Sequence, residues 1–339
     1  MAARAAEADI VQIEFWNHPK LFECLARADF PVMRAVFWCH VSGLFKPVIP
    51  PGFLEEADRF VFTSPASLEL AAVRAMTGPV RERLAVIGSA YGFDIPPSAL
   101  PSTLPLDIPI CYLGTVDFVK LHPGFFDAID SLSTDATAAI WGNPDPEVEA
   151  RAGTMRHRDR IRLMGQTSDP RAALSGSRIF FYPLQPDHYG TAENALVEAM
   201  SLGMVPVVLA NPAECAIVQQ GQTGFVAGSI AECTDILDML LADPDRVAEV
   251  GANARAVAAT AFIARRSARQ FIDLWSGLMA EDKRLHDFRR ITGNTPRQWF
   301  EATQFLPGET RDAVSDSGKH AKGTLSHFRA AFPDDPSWD

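Results

Sequence analysis

The 339-residue chain lacks the features that mark several classes of protein. Its five cysteines are scattered and form no C-x-x-C pair, so the sequence contains no zinc or redox template and fits a reducing compartment. Lysine and arginine total 31 against 42 acidic residues, and this balance argues against a nucleic-acid partner. No apolar run approaches the roughly 18 residues of a membrane span, and the first residues lack the apolar region of a signal peptide. We therefore expect a cytoplasmic protein, with peripheral contact at the inner membrane face left open.

Segments of strand and helix character alternate along the chain, which predicts an α/β fold with parallel sheets. Residues 95–105 hold four prolines in eleven positions and form the best candidate linker. We predict an N-terminal domain over 1–105, a C-terminal domain over 106–280 and an aromatic-rich tail over 281–339 that packs on the body. Strands are predicted at 8–15, 32–39, 60–63, 83–87, 108–114, 138–141, 160–164, 178–182, 205–209 and 224–226. Helices are predicted at 20–28, 65–76, 125–132, 192–202, 214–220, 230–242 and 244–280.

The most informative segment for function is residues 187–209. Gly190 and Thr191 are predicted to end a loop and open a helix, where free N–H groups suit a phosphate. Glu193 then falls in the first turn, where it either complements the helix dipole or faces a ligand hydroxyl. Asn194 and Glu198 are four residues apart and share a helix face, so together they could bind the vicinal hydroxyls of a ribose or hexose.

Three motifs in this sequence resemble the family 4 (group 1) glycosyltransferases. The first is Glu198-Ala-Met-x-x-Gly-x-x-Pro-Val-Val followed by Glu214 and Gly221-Gln-Thr-Gly-Phe-Val226, at the family's spacing. The second, Tyr112-Leu-Gly-Thr-Val-Asp-Phe-Val-Lys120, is similar to the strand and loop that carry the family's diphosphate-binding cations. The third, Tyr91-Gly-Phe-Asp94, resembles the stretch before the family's interdomain hinge.

The resemblance implies the GT-B fold, with two Rossmann-like domains, and retaining sugar transfer from a nucleoside diphosphate sugar to an acceptor hydroxyl. The acceptor would be a carbohydrate or a lipid-linked molecule, as in cell-surface polysaccharide or glycoconjugate synthesis. The donor is a substrate, and the resemblance implies no further cofactor and no metal. It gives catalytic roles to His40, Lys120 and Glu193, with His40 approaching the transferred sugar and Lys120 neutralising the diphosphate. It places the donor on Gly114, Thr115, Lys120, Gly190, Thr191, Glu193, Asn194 and Glu198.

Three departures from the family pattern affect this interpretation. Thr115 stands where the family has arginine, so a second cation is missing or comes from elsewhere, such as His122 or Arg178. Gly190 stands where the family has its first glutamate, which suggests that Glu193 or Asp187 takes over the sugar hydroxyls. By the family's plan, the N-terminal domain also begins about one βα unit late.

Other functions stay open at this point. A non-catalytic or truncated nucleotide-sugar-binding module of the same fold is the main alternative. A nucleotide-sugar epimerase or phosphorylase is another, although the sequence shows no convincing pyridoxal-phosphate lysine. An NAD oxidoreductase is disfavoured because no Gly-x-Gly-x-x-Gly motif follows a strand.

Overall fold

The computed structural model describes residues 2–94, 108–305 and 323–338, and the predicted linker at 95–105 lies outside these ranges. The chain divides into two compact units. The first contains Met1–Ser89, Tyr189–Ala192 and Ser267–Asp339, and the second contains Ala90–His188 and Glu193–Arg266. Both sheets are parallel and carry helices between their strands, which confirms the predicted α/β class with two Rossmann-like units.

The first unit has a four-stranded sheet in the order β1-β2-β3-β4. Its strands are β1 (Val11–Phe15), β2 (Ala35–Cys39), β3 (Arg59–Phe62) and β4 (Leu84–Val86). Its N-terminal helices are α1 (Ala2–Glu7), α2 (Pro19–Arg27), α3 (Pro51–Glu56), α4 (Ala71–Ala75) and α5 (Gly78–Glu82), with a 3₁₀ turn at Pro65–Glu69.

Both faces of this sheet are buried under helices. One face carries a phenylalanine-rich core that includes Phe15, Phe37 and Phe60, and the tail adds Trp299 and Phe328 to it. The other face packs Val36 and Val61 against Phe271 and Leu278, which lie on the helix Ala264–Leu278. A strand buried on both faces needs apolar side chains at nearly every position, which explains the near-continuous hydrophobic runs.

The second unit has a six-stranded sheet in the order β10-β9-β8-β5-β6-β7. The strands are β5 (Ile110–Leu113), β6 (Ala138–Trp141), β7 (Ile161–Gly165), β8 (Ile179–Tyr182), β9 (Val205–Leu209) and β10 (Phe225–Ala227). The helices are α6 (Gly124–Asp130), α7 (Pro146–Gly153), α8 (Pro170–Ser175), α9 (Asn194–Ser201), α10 (Pro212–Cys215), α11 (Ile230–Ala242) and α12 (Pro244–Ala261). Strands β6 and β7 follow on one side of β5, and the chain then crosses to place β8, β9 and β10 on the other side. The order reverses between β5 and β8, and in such sheets ligands bind beyond the carboxyl ends of the strands at this switch point.

The remaining helices are α13 (Ala264–Leu278), α14 (Arg289–Thr292), α15 (Pro296–Ala302) and α16 (Leu325–Ala331). They belong to the first unit, which α13 enters at Ser267. The prediction of a single helix over 244–280 is wrong, because α12 ends at Ala261 with Phe262 as its C-cap and α13 begins at Ala264. The division of the chain also differs from the predicted boundary at 280, since α13 buries Phe271 and Leu278 in the first unit.

Asp58 fixes the start of the tail to the first sheet. Its carboxylate accepts a hydrogen bond from the Ala35 amide at 2.7 Å and from Arg284 Nε at 2.6 Å, and it contacts His286 Nε2 at 3.1 Å. Burial acts to raise the pKa of Asp58, but these partners outweigh it and lower the pKa to about 2. The tail is thus held by charge as well as by apolar packing.

Other helix predictions were also too long. The predicted helix at 65–76 is a 3₁₀ turn followed by α4, and the predicted helix at 214–220 is only α10. Among the described residues, one stretch, Pro244–Leu278, has the length and apolar content of a membrane-crossing helix over part of its span. It consists of α12 and α13 with a break between them, so the helical geometry is not continuous.

Candidate donor site

The loop after β5 places a lysine at the switch point of the second sheet. Asp117 Oδ1 accepts hydrogen bonds from the amides of Val119 and Lys120, each at 3.0 Å, and so forms a tight turn. The Lys120 carbonyl accepts from the amide of Gln185 at 2.8 Å, which ties this loop to the one that follows β8. The position of Lys120 is therefore set by two neighbouring strands of the sheet.

Lys120 forms an ion pair with the buried carboxylate of Glu193. Its Nζ lies 3.1 Å from Glu193 Oε2, and the Lys120 side chain is 19% exposed against 1% for Glu193. Tyr182, the last residue of β8, donates its hydroxyl to the same Oε2 at 2.8 Å. Burial acts to raise the pKa of Glu193, but Lys120, His188 and Tyr182 together lower it, so the carboxylate is ionised at neutral pH.

Glu193 has a backbone conformation that is rare for a residue with a side chain. Its φ of 45° and ψ of 60° are left-handed, and it is the N-cap of α9 without a side-chain capping bond. Such a conformation costs on the order of 1–3 kcal/mol and is found where surrounding contacts impose it. The ion pair with Lys120 and the hydrogen bond from Tyr182 are the contacts that hold it here.

A second buried acid lies behind this pair. His188 Nε2 is 3.0 Å from Glu214 Oε1, and His188 Nδ1 is 3.9 Å from Glu193 Oε1. Asn211 donates a long hydrogen bond to Glu214 Oε1 at 3.4 Å. Glu214 Oε2 is buried and has no hydrogen-bond partner in the described part of the chain. The imidazole thus links two buried carboxylates, one of which directly contacts Lys120.

The structure corrects the prediction for Gly190 and Thr191. Helix α9 begins at Asn194, so these two residues precede it and their amides are not in its first turn. The left-handed Glu193 lies between them and the helix, which is why the helix starts later than the pattern predicted. Both belong to the first unit, where the Thr63 hydroxyl donates to Thr191 Oγ1 at 3.3 Å. Their predicted contact with the donor stays a prediction.

The other predicted donor residues belong to the second unit. Gly114 and Thr115 follow the carboxyl end of β5, and Tyr112 donates its hydroxyl to the Thr115 carbonyl at 2.7 Å. Asn194 and Glu198 lie on α9, with Asn194 exposed and Glu198 half-buried. Burial raises the pKa of Glu198 above its usual value. Of the predicted site residues, Lys120 and Glu193 are in direct contact, and the Tyr182 hydroxyl contacts the same carboxylate.

Neither proposed substitute for the missing arginine is suitably placed. Arg178 immediately precedes β8, so it lies at the amino end of a strand that is parallel to β5, whereas Thr115 follows the carboxyl end of β5. His122 Nδ1 accepts a hydrogen bond from the Gly124 amide at 3.0 Å, and burial lowers the pKa of His122. A neutral imidazole is expected at pH 7, so His122 is not supported as the second cation. For Arg178 the suggestion is wrong, because this residue lies at the opposite end of the strands from Thr115.

His40 belongs to the first unit, where it follows β2. Its Nε2 lies 2.7 Å from Glu14 Oε2, and its ring stacks on Trp16. Sequence reasoning gave no role to Tyr182, Glu14 or Trp16. The usable signal was their position at or next to the carboxyl end of a predicted parallel strand, where ligand-binding residues concentrate. In residues 2–94, 108–305 and 323–338, no group of three His, Cys, Asp or Glu side chains could hold a metal ion.

Comparison with solved structures identifies the fold. HepE from Anabaena, solved in complex with UDP and glucose, aligns with a TM-score of 0.66 at 18% identity, over 81% of this chain and 80% of its own. Sucrose-phosphate synthase from Thermosynechococcus elongatus aligns with a TM-score of 0.66 at 19% identity, over 82% and 76%. A glycosyltransferase from Rickettsia africae aligns with a TM-score of 0.65 at 14% identity, over 82% and 79%. The chain has the GT-B fold.

A family model matches most of the second unit. Residues 108–243, from the start of β5 to the end of α11, match the family model described as glycosyl transferases group 1. The predicted resemblance to this family is confirmed over these residues. A comparison with curated proteins found no significant match.

Proposed function

We propose that this protein is a retaining glycosyltransferase that moves a sugar from a nucleoside diphosphate sugar to an acceptor hydroxyl. The observation that carries the proposal is the placement of Lys120 at the switch point of a group 1 glycosyltransferase unit, paired with Glu193 at 3.1 Å. A cation beyond the carboxyl ends of the strands can stabilise the negative charge that develops on the departing diphosphate in a crevice of low dielectric.

In this proposal the donor binds to the second unit. Glu198 accepts hydrogen bonds from the ribose hydroxyls, and Lys120 faces the diphosphate. Glu193 orients the ammonium of Lys120 and contacts the sugar hydroxyls. The bond between the anomeric carbon and the phosphate oxygen breaks with its electron pair going to the phosphate, and the acceptor oxygen bonds to the same face of the sugar. The acceptor's proton leaves with the diphosphate, so the anomeric configuration is retained.

The first experiment measures binding and transfer separately. UDP and UDP-glucose are the initial probes, because HepE was solved with UDP and with UDP-glucose. Lys120→Ala and Glu198→Ala should each abolish transfer, while Glu149→Ala, an exposed acid on α7, serves as the matched control. Unimpaired transfer by both site variants would refute the assignment. NMR of the product tests retention, and undiminished turnover in excess EDTA tests the proposal that no metal is required.

A non-catalytic nucleotide-sugar-binding module is the second candidate. It is favoured by Thr115 in place of an arginine and by the position of Arg178 at the opposite end of the strands. Such a module would bind UDP but neither transfer nor hydrolyse UDP-glucose with any acceptor tried. Turnover that is lost in Lys120→Ala would eliminate this candidate.

The acceptor and the location of the protein are proposals as well. We infer a carbohydrate or lipid-linked acceptor and a role in cell-surface polysaccharide or glycoconjugate synthesis on the cytoplasmic side of the membrane. Flotation with vesicles of anionic phospholipid tests the membrane contact. A protein that stays in the lower fraction at low salt would argue against it.

A further inference from the structure

A cavity of about 410 Å³ lies within the second unit, at the amino ends of its strands. Its lining includes Pro109, which precedes β5, Arg178, which precedes β8, and Met204, which precedes β9. Lys120 follows the carboxyl end of β5, so the cavity is at the opposite end of this parallel sheet from the candidate donor site. Its volume falls within the range of about 300–1,000 Å³ that is typical of small-molecule sites.

Backbone contacts set the shape of this cavity. The Arg178 amide donates to the Pro109 carbonyl at 3.0 Å, and the Arg178 carbonyl accepts from the Val205 amide at 2.8 Å. Gly203, which follows α9, lies so close to α12 that a Cβ built at Gly251 would be 2.1 Å from the Gly203 carbonyl oxygen. These contacts belong to the sheet and to helix packing, so the walls are formed by the fold itself.

The lining combines an aliphatic surface with positive charge. Its apolar side chains include Leu174, Ile179, Leu202, Met204, Leu240 and Val247. Arg178 and Arg255 also line the cavity, and both are half-buried. Among the described residues of the lining, none is acidic and none is aromatic. An anionic group is the complement of the two guanidinium groups, and a flexible alkyl chain is the complement of the aliphatic walls.

Arg178 is the charged group that the fold leaves for a ligand. Within the part of the chain that the structure describes, its guanidinium forms no ion pair and no hydrogen bond. The two serines of the lining already use their hydroxyl protons, since Ser175 donates to the Arg171 carbonyl at 2.6 Å and Ser177 to the Ile108 carbonyl at 2.8 Å. A half-buried guanidinium beside an apolar surface attracts an anion more strongly than one in open water, because the local dielectric is lower.

We propose that this cavity binds a medium-length alkyl carboxylate, with its chain against the aliphatic walls and its carboxylate on Arg178 and Arg255. A planar guanidinium can donate two parallel N–H bonds to the two oxygens of a carboxylate, which a neutral head group cannot match. Burial of the chain adds hydrophobic stabilisation in proportion to the apolar area removed from water. This site is separate from the candidate donor site, and its existence does not depend on the proposed function.

Octanoate, 1-octanol and acetate separate the contributions of charge and chain, because octanoate shares its chain length with octanol and its head group with acetate. Saturation-transfer NMR titrations of the full chain, without nucleotide, measure each Kd. Octanoate should bind at least about tenfold more tightly than either of the other two. Arg178→Gln should raise the Kd of octanoate by about tenfold and that of 1-octanol by less than about twofold. Arg162→Gln, at an exposed position of β7, is the matched control and should change neither value.

A second variant tests the location of the chain. Ala248 lines the cavity from an exposed position on α12, so Ala248→Phe fills the cavity without altering the buried core. It should weaken octanoate binding by at least about tenfold, whereas Ala150→Phe, at an exposed position of α7, should not. Far-UV circular dichroism checks that each variant is folded.

Four results would each overturn the proposal: no binding of octanoate, binding no tighter than that of 1-octanol, an unchanged Kd in Arg178→Gln, or an unchanged Kd in Ala248→Phe. UDP binding is measured in parallel on the same samples. A protein that binds octanoate as expected but no nucleotide or nucleotide sugar would refute the proposed function and leave this site intact, and the reverse result would refute this site alone.

Discussion

The ion pair between Lys120 and Glu193 allows a quantitative test of the donor site. Two unit charges at the observed 3.1 Å attract by about 5 kcal/mol at an effective dielectric constant near 20. Lys120→Met removes the cation and leaves an ionised carboxylate that is 1% exposed, so we expect a loss of about 3–5 kcal/mol in unfolding free energy. Glu193→Gln should cost less, about 1–2 kcal/mol, because the amide still accepts from Tyr182 and Lys120 can reach water.

The double variant gives the coupling between the two residues. Replacing both removes the charges together, so its cost should be about 2 kcal/mol rather than the sum of the single losses. Urea unfolding followed by far-UV circular dichroism at pH 7 measures each value. Lys20→Met is the control, because the Lys20 side chain is 53% exposed in its pair with Glu23 and should change stability by less than about 0.5 kcal/mol.

The pH dependence of the unfolding free energy provides an independent test. In the wild type, burial acts to raise the pKa of Glu193, but its partners outweigh burial and lower it. Without Lys120, burial is opposed by fewer partners, so the pKa rises and the carboxyl group is more stable when protonated. A raised pKa in the folded state stabilises at low pH and loses this contribution as the pH rises. The deficit of Lys120→Met should therefore be larger at pH 8 than at pH 5. A coupling below about 0.5 kcal/mol with no such trend would refute the reasoning.

Three further predictions concern nucleotide binding, acid stability and packing. Burial raises the pKa of Glu198, so lowering the pH protonates the carboxylate that is proposed to accept from the ribose hydroxyls. UDP affinity, measured by isothermal titration calorimetry, should therefore fall more steeply as the pH is lowered in wild type than in Glu198→Gln. Because the folded pKa of Asp58 is about 2 against 3.8, Asp58→Asn should cost about 2 kcal/mol at pH 7 in urea unfolding, and the difference should shrink as the pH falls from 4 to 2. A Cβ at Gly251 would lie 2.1 Å from the Gly203 carbonyl oxygen, so Gly251→Ala should cost about 1–3 kcal/mol and lower the Tm, whereas Gly153→Ala meets nothing within 4 Å and should not. Equal Tm values for the two alanine variants, or a pH-independent cost at Asp58, would contradict the corresponding argument.

The sequence predicted the sheets well because central strands such as β8 and β9 are buried along their whole length. Strands β6 and β9 have the predicted bounds, since Ala138–Trp141 and Val205–Leu209 are short apolar runs enclosed by polar or glycine-containing loops. Helices were less predictable where tertiary contacts end them. The break near Phe262 separates α12 from α13, whose apolar residues pack in different units. No local pattern specifies which unit a helix joins.

The candidate donor site was predictable only in part. The spacing from the Gly114 strand to Lys120 and the helix carrying Glu198 are local patterns, and the family match covers both. The buried pair of His188 with Glu214 joins two loops that are 26 residues apart, so it depends on the pairing of β8 with β9. The left-handed conformation of Glu193 arises from partners on other elements, and sequence propensity favours a helical start instead.

These contacts suggest that the departures of this chain from its family pattern are connected. With Thr115 in place of an arginine, the described loop after β5 contributes Lys120 as its cation, and Lys120 already contacts Glu193 at 3.1 Å. Under the proposed function, an incoming diphosphate shares that ammonium with a carboxylate whose position is fixed by Tyr182. Sharing weakens the attraction for the diphosphate in the ground state, because Glu193 repels it. The ion pair also holds the Lys120 ammonium in place before the leaving group gains charge. A charge that is already positioned in this way stabilises the transition state more than the bound donor.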